Sequence, residues 1–470
     1  MFIWCGQFAP ADRPAPTENL VILSDACILL RVPWLLVGPG QAQFGRPAWI
    51  REDRSARKND MSEMPNQRLF PRCPGNRPAA AFLAALVLQC VTASPVPAAD
   101  VARPAPSEPE FSDVFVAGRD GFNSVRIPSV VVSERGTVLA IAEGRAQHAD
   151  QANNQLILRR SLDGGRHWGA EQLIANDGEN CLNNPCAVVD QHSGCVLVMF
   201  QSYPAGLSER DGKILPGLDG PAIVRNYVIQ SRDDGVTWSK PRDVTRTTKT
   251  AERVTTVAGG PGIGIQLRRG PHAGRLIIPF NEGPFGQWQV LAVYSDDGGQ
   301  NWKHGQPPPG CRIPDGKGGQ ISLVNEVQMV ELADDSVLLN SRKWSGRALR
   351  KIATSRDGGE TWSPIEEDPA LRDPGCMASI LRYSWPGAQG PSRLLFCGPE
   401  STRRDHGTVH LSLDEGKTWP VKKVLFAGSF AYSVLTALPD GTIGCLFETD
   451  NADRIVFARF TLDWLTTASR

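Results

Sequence analysis

The chain has 470 residues, 41% hydrophobic and 21% charged, which is the balance of a globular protein and excludes a disordered or collagen-like one. Fifty basic and fifty acidic side chains cancel to a net charge of zero. No basic stripe is present to neutralise a phosphate backbone, so nucleic acid is excluded as an expected partner.

The first hundred residues are rich in Pro and Arg and carry one apolar run, AAAFLAALVLQCVTA at 79–93, preceded by Arg72 and Arg77. The run is shorter than the roughly 20 residues a spanning helix needs and suits the apolar region of a signal peptide. Val96 and Ala98 then occupy the −3 and −1 places of a cleavage site after Ala98. A signal peptide begins close to its apolar run, so Met61 or Met64 is the expected start. This reading gives 61–99 as signal peptide and 1–60 as a gene model extended too far, the alternative being a real N-terminal extension. The mature protein, 100–470, is then exported with no transmembrane span. The absence of any N-x-S/T sequon points towards a bacterial source, periplasmic or secreted.

Four of the eleven cysteines (Cys5, Cys27, Cys73, Cys90) fall in this leader and seven in the body, so at least one body cysteine stays unpaired within the chain. Cys181 and Cys186 are close enough in sequence to bridge. Buried free thiols are the alternative, and their spacing matches no zinc pattern.

From 111 onward the chain alternates short β-type runs with an octet of the form S-x-D-x-G-x-x-W. It occurs as SLDGGRHW (161–168), SRDDGVTW (231–238), SDDGGQNW (295–302), SRDGGETW (355–362) and SLDEGKTW (412–419). Recurrence every 57 to 70 residues marks repeated supersecondary units. Each octet reads as a hairpin turn in which Ser and Asp bond nearby backbone, Gly takes a positive φ and Trp folds back as an apolar plug. These are structural staples without a direct catalytic role. About 360 residues at about 60 per unit give six units, one lacking the octet, and four strands per unit predict an all-β, six-bladed propeller. The last run, RIVFARFTLDWL (454–465), is expected to close the ring by pairing with the first blade.

Six further segments stand apart from the octets: SVRIPSVVV (124–132), AEGRAQHAD (142–150), VNEVQMVEL (324–332), LLNSRKWSG (338–346), STRRDHGTVHLSLDEG (401–416) and GSFAYSVLTALPDG (428–441). In this order, interleaved with Asp-box octets, they resemble the exo-α-sialidases, or neuraminidases, of the bacterial and lysosomal type over residues 111–467. The resemblance implies hydrolysis of terminal α-linked sialic acids from glycoproteins, glycolipids or oligosaccharides, with retention through a covalent tyrosyl intermediate. No metal or organic cofactor is implied, and any calcium ion would be structural.

Carried over by segment, the family's arginine triad falls on Arg126, Arg342 and Arg404, with the adjacent Arg403 as an alternative third member. Planar guanidinium groups suit a carboxylate on the anomeric carbon, because they grip it through paired charge-assisted hydrogen bonds. The resemblance makes Tyr432 the nucleophile and Glu326 its base. A neutral phenol approaches a carbon bearing a carboxylate without repulsion, but with a pKa of about 10 it needs help losing its proton. Asp150 is the implied acid/base, on a polar stretch that reads as a loop, with His148 as an alternative donor. Arg145 is expected to bind substrate hydroxyls or carboxylate at the pocket edge. Two positions depart from the pattern: Val125 replaces the usual aromatic before R-I-P, and Ile263 stands where many relatives have histidine. Two rival readings remain, a non-catalytic Asp-box propeller that binds glycans and a trans-sialidase.

Overall fold

A computed structural model of the protein describes residues 108–467, apart from 120 and 389. The leader readings, with their four cysteines, lie outside the described residues. Six sheets, each built on four antiparallel strands, follow one another along the chain. Blade I comprises Ser124–Val132, Val138–Arg145, Gln155–Ser161 and Gln172–Ala175; blade II comprises Cys181–Asp190, Cys195–Tyr203, Arg225–Ser231 and Arg242–Asp243. Thr256–Gly259, Leu276–Gly283, Gln289–Ser295 and Lys303–His304 form blade III, and Val324–Glu331, Val337–Lys343, Leu349–Ser355 and Glu366–Arg372 form blade IV. Ser379–Ser384, Arg393–Pro399, Asp405–Ser412 and Val421–Ser429 form blade V. The sheets of blades II and III each gain a two-residue fifth strand, Gly262–Ile263 (parallel to Cys186–Ala187) and Ile265–Gln266 respectively. The first strands of blades I, II, IV, V and VI, with residues 263–266, line a common central channel. The architecture is the six-bladed propeller expected from the repeat period.

Blade VI departs from expectation. Arg454–Phe460 does not join the first blade; it is the third strand of the last one, after Ser433–Ala437 and Ile443–Thr449. The ring is closed instead by the first strand of the described chain, Glu110–Val116, which adds to the outer edge of Arg454–Phe460. The tail of the same run turns helical at Leu462–Thr466, because the Thr461 hydroxyl caps the Trp464 amide at 3.0 Å and ends the strand.

Second strands explain the repeated apolar runs. Val138–Arg145, Cys195–Tyr203, Leu276–Gly283 and Ile443–Thr449 are buried at every residue. Each is sandwiched between neighbouring blades, so both of its faces must be apolar, unlike a strand with one wet face. Polar residues enter these strands only near their ends, as Glu143 and Arg145, Asn281 and Glu282, and Glu448.

The five octets join third to fourth strands and repeat one bonding pattern. The Ser hydroxyl donates to the Asp carboxylate at 2.7–2.8 Å and accepts the Gly amide at 2.8–2.9 Å. The Asp also takes the backbone amide and the side chain of the seventh residue, a His, Thr or Asn. The Gly has a second duty. A Cβ on Gly165 would stand 2.2 Å from Phe457 of blade VI, and one on Gly299 2.3 Å from Leu197 of blade II, so the octet is where one blade presses on the preceding one. These turns lie at the same end of the ring as the first-to-second-strand turns.

All seven body cysteines are buried and free. Cys181 forms no bridge to Cys186; its Sγ lies 3.3 Å from the Asn183 side-chain oxygen and 3.4 Å from the Asn154 amide. Among the described residues no helix is long and apolar enough to cross a membrane.

Candidate active site

The opposite end of the ring, where first strands begin and second strands finish, carries a cavity of about 280 Å³. Bulges in the first strands aim residues into it. In blade I the ladder loses register between Arg126 and Ser129, and Ile127 takes φ of 58°. Such a backbone conformation is unusual for a β-branched residue and costs on the order of 1–3 kcal/mol. Pro128 has no amide to lose at this interruption, and the freed Ile127 amide donates to Glu448 at 2.8 Å. The R-I-P motif is thus a bulge that turns Arg126 towards the cavity. Blade II repeats the device at Asn183–Asn184, with Asn184 at φ of 52°, and blade IV has a bulge between Val324 and Val327, around Glu326.

Tyr432, only 5% exposed, donates its hydroxyl hydrogen to Glu326 in a short contact. Arg342 completes the cluster, with Nη1 2.6 Å from Glu326 and 3.1 Å from the Tyr432 oxygen. The guanidinium carbons of Arg126 and Arg404 lie 5.0 and 5.4 Å from the Tyr432 ring centroid. Burial and then the Glu326 carboxylate push the Tyr432 phenol above its ordinary pKa, against the pull of the three arginines. The resting phenol therefore keeps its proton, with an acceptor already in contact.

The three cations retain donors for a ligand. Arg342 leaves its buried Nε without a hydrogen-bond partner, and Arg404 gives only Nη2 to the Gly375 carbonyl, at 3.0 Å. Arg126 gives Nε and Nη2 to Glu448, while its Nη1 sits 3.6 Å from Asp150. An anion meeting this wall would satisfy groups that are costly to leave unpaired.

Asp150 faces the wall from the segment after Val138–Arg145. Its Oδ1 receives Arg145 at 3.2 Å, and its Oδ2 receives Arg210 at 3.3 Å. Burial alone would raise its pKa, but Arg145 and Arg126, with Arg210, outweigh it and hold the carboxyl below its ordinary value. Across the cavity, burial and the neighbouring Asp150 charge push Glu209 up to about 7.

Residues 136–445 match the family model for a BNR repeat-like domain. The chain belongs to the sialidase family. It is 38% identical to a sialidase of Micromonospora viridifaciens over 425 residues, which are 86% of this chain and 62% of that protein, so it spans about three fifths of that relative's length. Among solved structures it resembles the Hadza microbial sialidase Hz136, with a TM-score of 0.66 and 28% identity over 74% of this chain and 68% of that one. The fold also matches an intramolecular trans-sialidase from Ruminococcus gnavus in complex with oseltamivir carboxylate, with a TM-score of 0.64 and 21% identity over 76% of this chain and 99% of that one.

All seven residues carried over from the sialidase pattern, Arg126, Arg145, Asp150, Glu326, Arg342, Arg404 and Tyr432, line the same cavity. Between the two candidates for the third arginine, Arg404 lies over Tyr432, whereas Arg403 is exposed beside Asp405. His148 is exposed and outside the cavity lining. Arg145 lines the cavity but is 1% exposed, bonded to Glu143 at 2.7 Å from Nε and to Asp150. It stands behind Asp150 and fixes that carboxylate.

Several lining or supporting residues were not anticipated. Glu448 and Glu143, both fully buried, hold Arg126 and Arg145. Acidic residues inside the apolar runs IGCLFET and VLAIAEGR were the available signal, since a buried charge demands a partner. Glu209 and Arg210 come from the long connection after Cys195–Tyr203, and Phe285, Trp288 and Trp344 form a mutually edge-on aromatic group with centroids 4.4–5.7 Å apart. No periodic pattern marks these five.

Proposed function

We propose that this protein is an exo-α-sialidase that releases terminal α-linked sialic acids from glycoproteins, glycolipids or oligosaccharides with net retention. The observation that carries this reading is the convergence of Arg126, Arg342 and Arg404 on a buried tyrosine whose hydroxyl is already bonded to a carboxylate. A glycan-binding propeller has no use for a primed phenol.

The three guanidinium groups take the substrate carboxylate and so orient the anomeric carbon over Tyr432. The Tyr432 oxygen forms a bond to that carbon while Glu326 accepts the phenolic proton. The glycosidic C–O bond breaks, and protonated Asp150 supplies the proton to the departing oxygen. In the second half Asp150 removes a proton from water, the water oxygen attacks the anomeric carbon, and the Tyr432 oxygen leaves and recovers its proton from Glu326. Two inversions give retention.

Export is part of the proposal and is supported by the apolar run at 79–93 with its small-residue site. Release of a fluorescent aglycone from an aryl α-sialoside by the full chain, beside Tyr432→Phe, tests the assignment. Turnover by wild type with strong loss in the variant is expected. Sialic acid binding with no turnover over pH 4–8 would leave a binding module instead. Added lactose distinguishes the hydrolase from a trans-sialidase: free sialic acid is the expected product, and sialyllactose would reverse the choice.

A further inference from the structure

Resting on the reading of Asp150 as acid/base, we propose that Arg210 is a releasable positioning residue, a guanidinium parked on the Phe285 ring that occupies the working oxygen of Asp150 until a glycoside enters. The assignment of oxygens carries the inference. Asp150 Oδ1 faces Arg145 at 3.2 Å and Arg126 at 3.6 Å, and neither partner is free to move: Arg145 is buried against Glu143, and Arg126 is held by the buried Glu448. Only Oδ2 remains to exchange a proton with a leaving group or a water. That oxygen is covered by Arg210 Nη2 at 3.3 Å.

Arg210 differs from the two locked arginines. Its side chain is 60% exposed, and its guanidinium meets Asp150 and the Phe285 face, 5.0 Å from guanidinium carbon to centroid. Phe285 is itself braced at 5.0 Å from Trp288 and 5.7 Å from Trp344, so the cation rests on a fixed platform. The segment carrying Arg210 is tied to the acid loop a second time, by Ser208 Oγ donating to Gln151 at 3.1 Å. The blade II connection therefore positions the Asp150 loop, and one movable side chain decides whether Oδ2 is available. Departure of Arg210 removes one of three cations and raises the proton affinity of Asp150 at the step where the acid form is needed.

The charged and titratable groups facing Asp150 are Arg126 and Arg145 of blade I, with Glu143 behind Arg145, and Cys181, Tyr203, Glu209 and Arg210 of blade II. Glu209 is pushed up to about 7, so its titration has to be separated from that of Asp150.

The test compares the alkaline limb of kcat/KM for sialyllactose, whose leaving group needs a proton, and for an aryl sialoside with an acidic phenol, which does not. In Arg210→Gln the limb for sialyllactose should move up by roughly half a pH unit, an exposed pair being partly screened, and Arg210→Lys should restore it. The aryl sialoside should show no such movement, and the shift should persist when Glu209→Gln is added. An unmoved limb, or one that depends on Glu209, overturns the proposal. So does an equal displacement for both substrates. The Asp150 carboxyl is also titrated directly by 13C NMR of the full chain, assigned with Asp150→Asn. An upward shift in Arg210→Gln supports the contact even if neither sialoside is hydrolysed, in which case the sialidase reading falls on its own; no shift overturns the proposal whatever the turnover.

Discussion

Arg126 and Glu448 stand 322 positions apart and meet through two hydrogen bonds, Nε to Oε1 at 3.2 Å and Nη2 to Oε2 at 3.0 Å. The first belongs to blade I and the second to blade VI, so an arginine of the first blade is aimed by the last, and the cavity is complete only once the ring has closed. Glu448 is fully buried and also accepts the Ile127 amide at the bulge. Glu448→Gln removes the counter-charge and leaves Arg126 uncompensated. Stability in urea should fall by about 3 kcal/mol, and KM for a sialoside should rise more than kcat falls, because Arg126 loses its aim. Lost stability with an unchanged KM would make Glu448 a folding residue only.

Tyr432 and Glu326 form the pair on which the chemistry turns. Glu326→Gln preserves size and hydrogen bonding but removes the proton acceptor, so kcat should fall by about 10²–10⁴-fold while KM changes little. Arg342 loses its 2.6 Å ion pair in the same variant, and a thermal melt run alongside checks that the fold survives. A well-folded variant with near wild-type kcat would take the base role away from Glu326.

How much of this was readable beforehand depended on whether a feature repeats or sits within a recognisable segment. The octets carry their own hydrogen bonds and so declare the blade period locally. Arg126, Arg342 and Arg404 each sit in a segment that resembles a known pattern. The pairing of Arg145 with Glu143 was readable too: the two are two apart on a strand, hence on one face, and a buried pair of opposite charge predicts mutual neutralisation. The ring closure was misread because edge pairing is non-local, and nothing in RIVFARF says which strand will cover it. Arg210 and Glu209 were invisible because they lie in a connection whose conformation is set by contacts to other blades.

The octets supply a control remote from the chemistry. Asp297 accepts Ser295 Oγ at 2.8 Å, the Asn301 amide at 2.8 Å and Asn301 Nδ2 at 2.7 Å. Asp297→Ala leaves those donors unpaired and should cost about 1–3 kcal/mol, whereas Asn301→Ala, which keeps the backbone bond, should cost about 1 kcal/mol. Both residues lie in one turn at the end of the ring opposite the cavity, so steady-state constants for a sialoside should be unchanged in the folded variants. A change in kcat without a change in stability would tie the octets to catalysis and contradict their reading as staples.

Stability should depend on pH in two opposite ways that different side chains control. Burial works against the Glu400 charge, but the His410 imidazole 3.2 Å away and a hydrogen bond from Lys422 outweigh it and hold its pKa at about 2. Asp163 is likewise held at about 2, where burial is outweighed by the His167 amide and side chain. Both values lie below those of the unfolded chain, roughly 4. The native state thus binds fewer protons than the unfolded state across this interval. Their stabilisation is complete above about pH 4.5 and is lost as pH falls towards 2. Glu209 has the reverse sign: its folded value of about 7 exceeds the unfolded one, so its contribution is complete below about pH 4.5 and is lost as pH rises through 7. Melting temperatures measured from pH 2 to 8 should show a Glu400→Gln variant with a flatter slope below pH 4.5. Glu209→Gln should flatten the slope between pH 4.5 and 7 and leave the protein more stable than wild type above pH 7. If Glu209→Gln melts lower than wild type at pH 8, the Glu209 carboxylate is favourably paired there and stabilises the fold in its charged form.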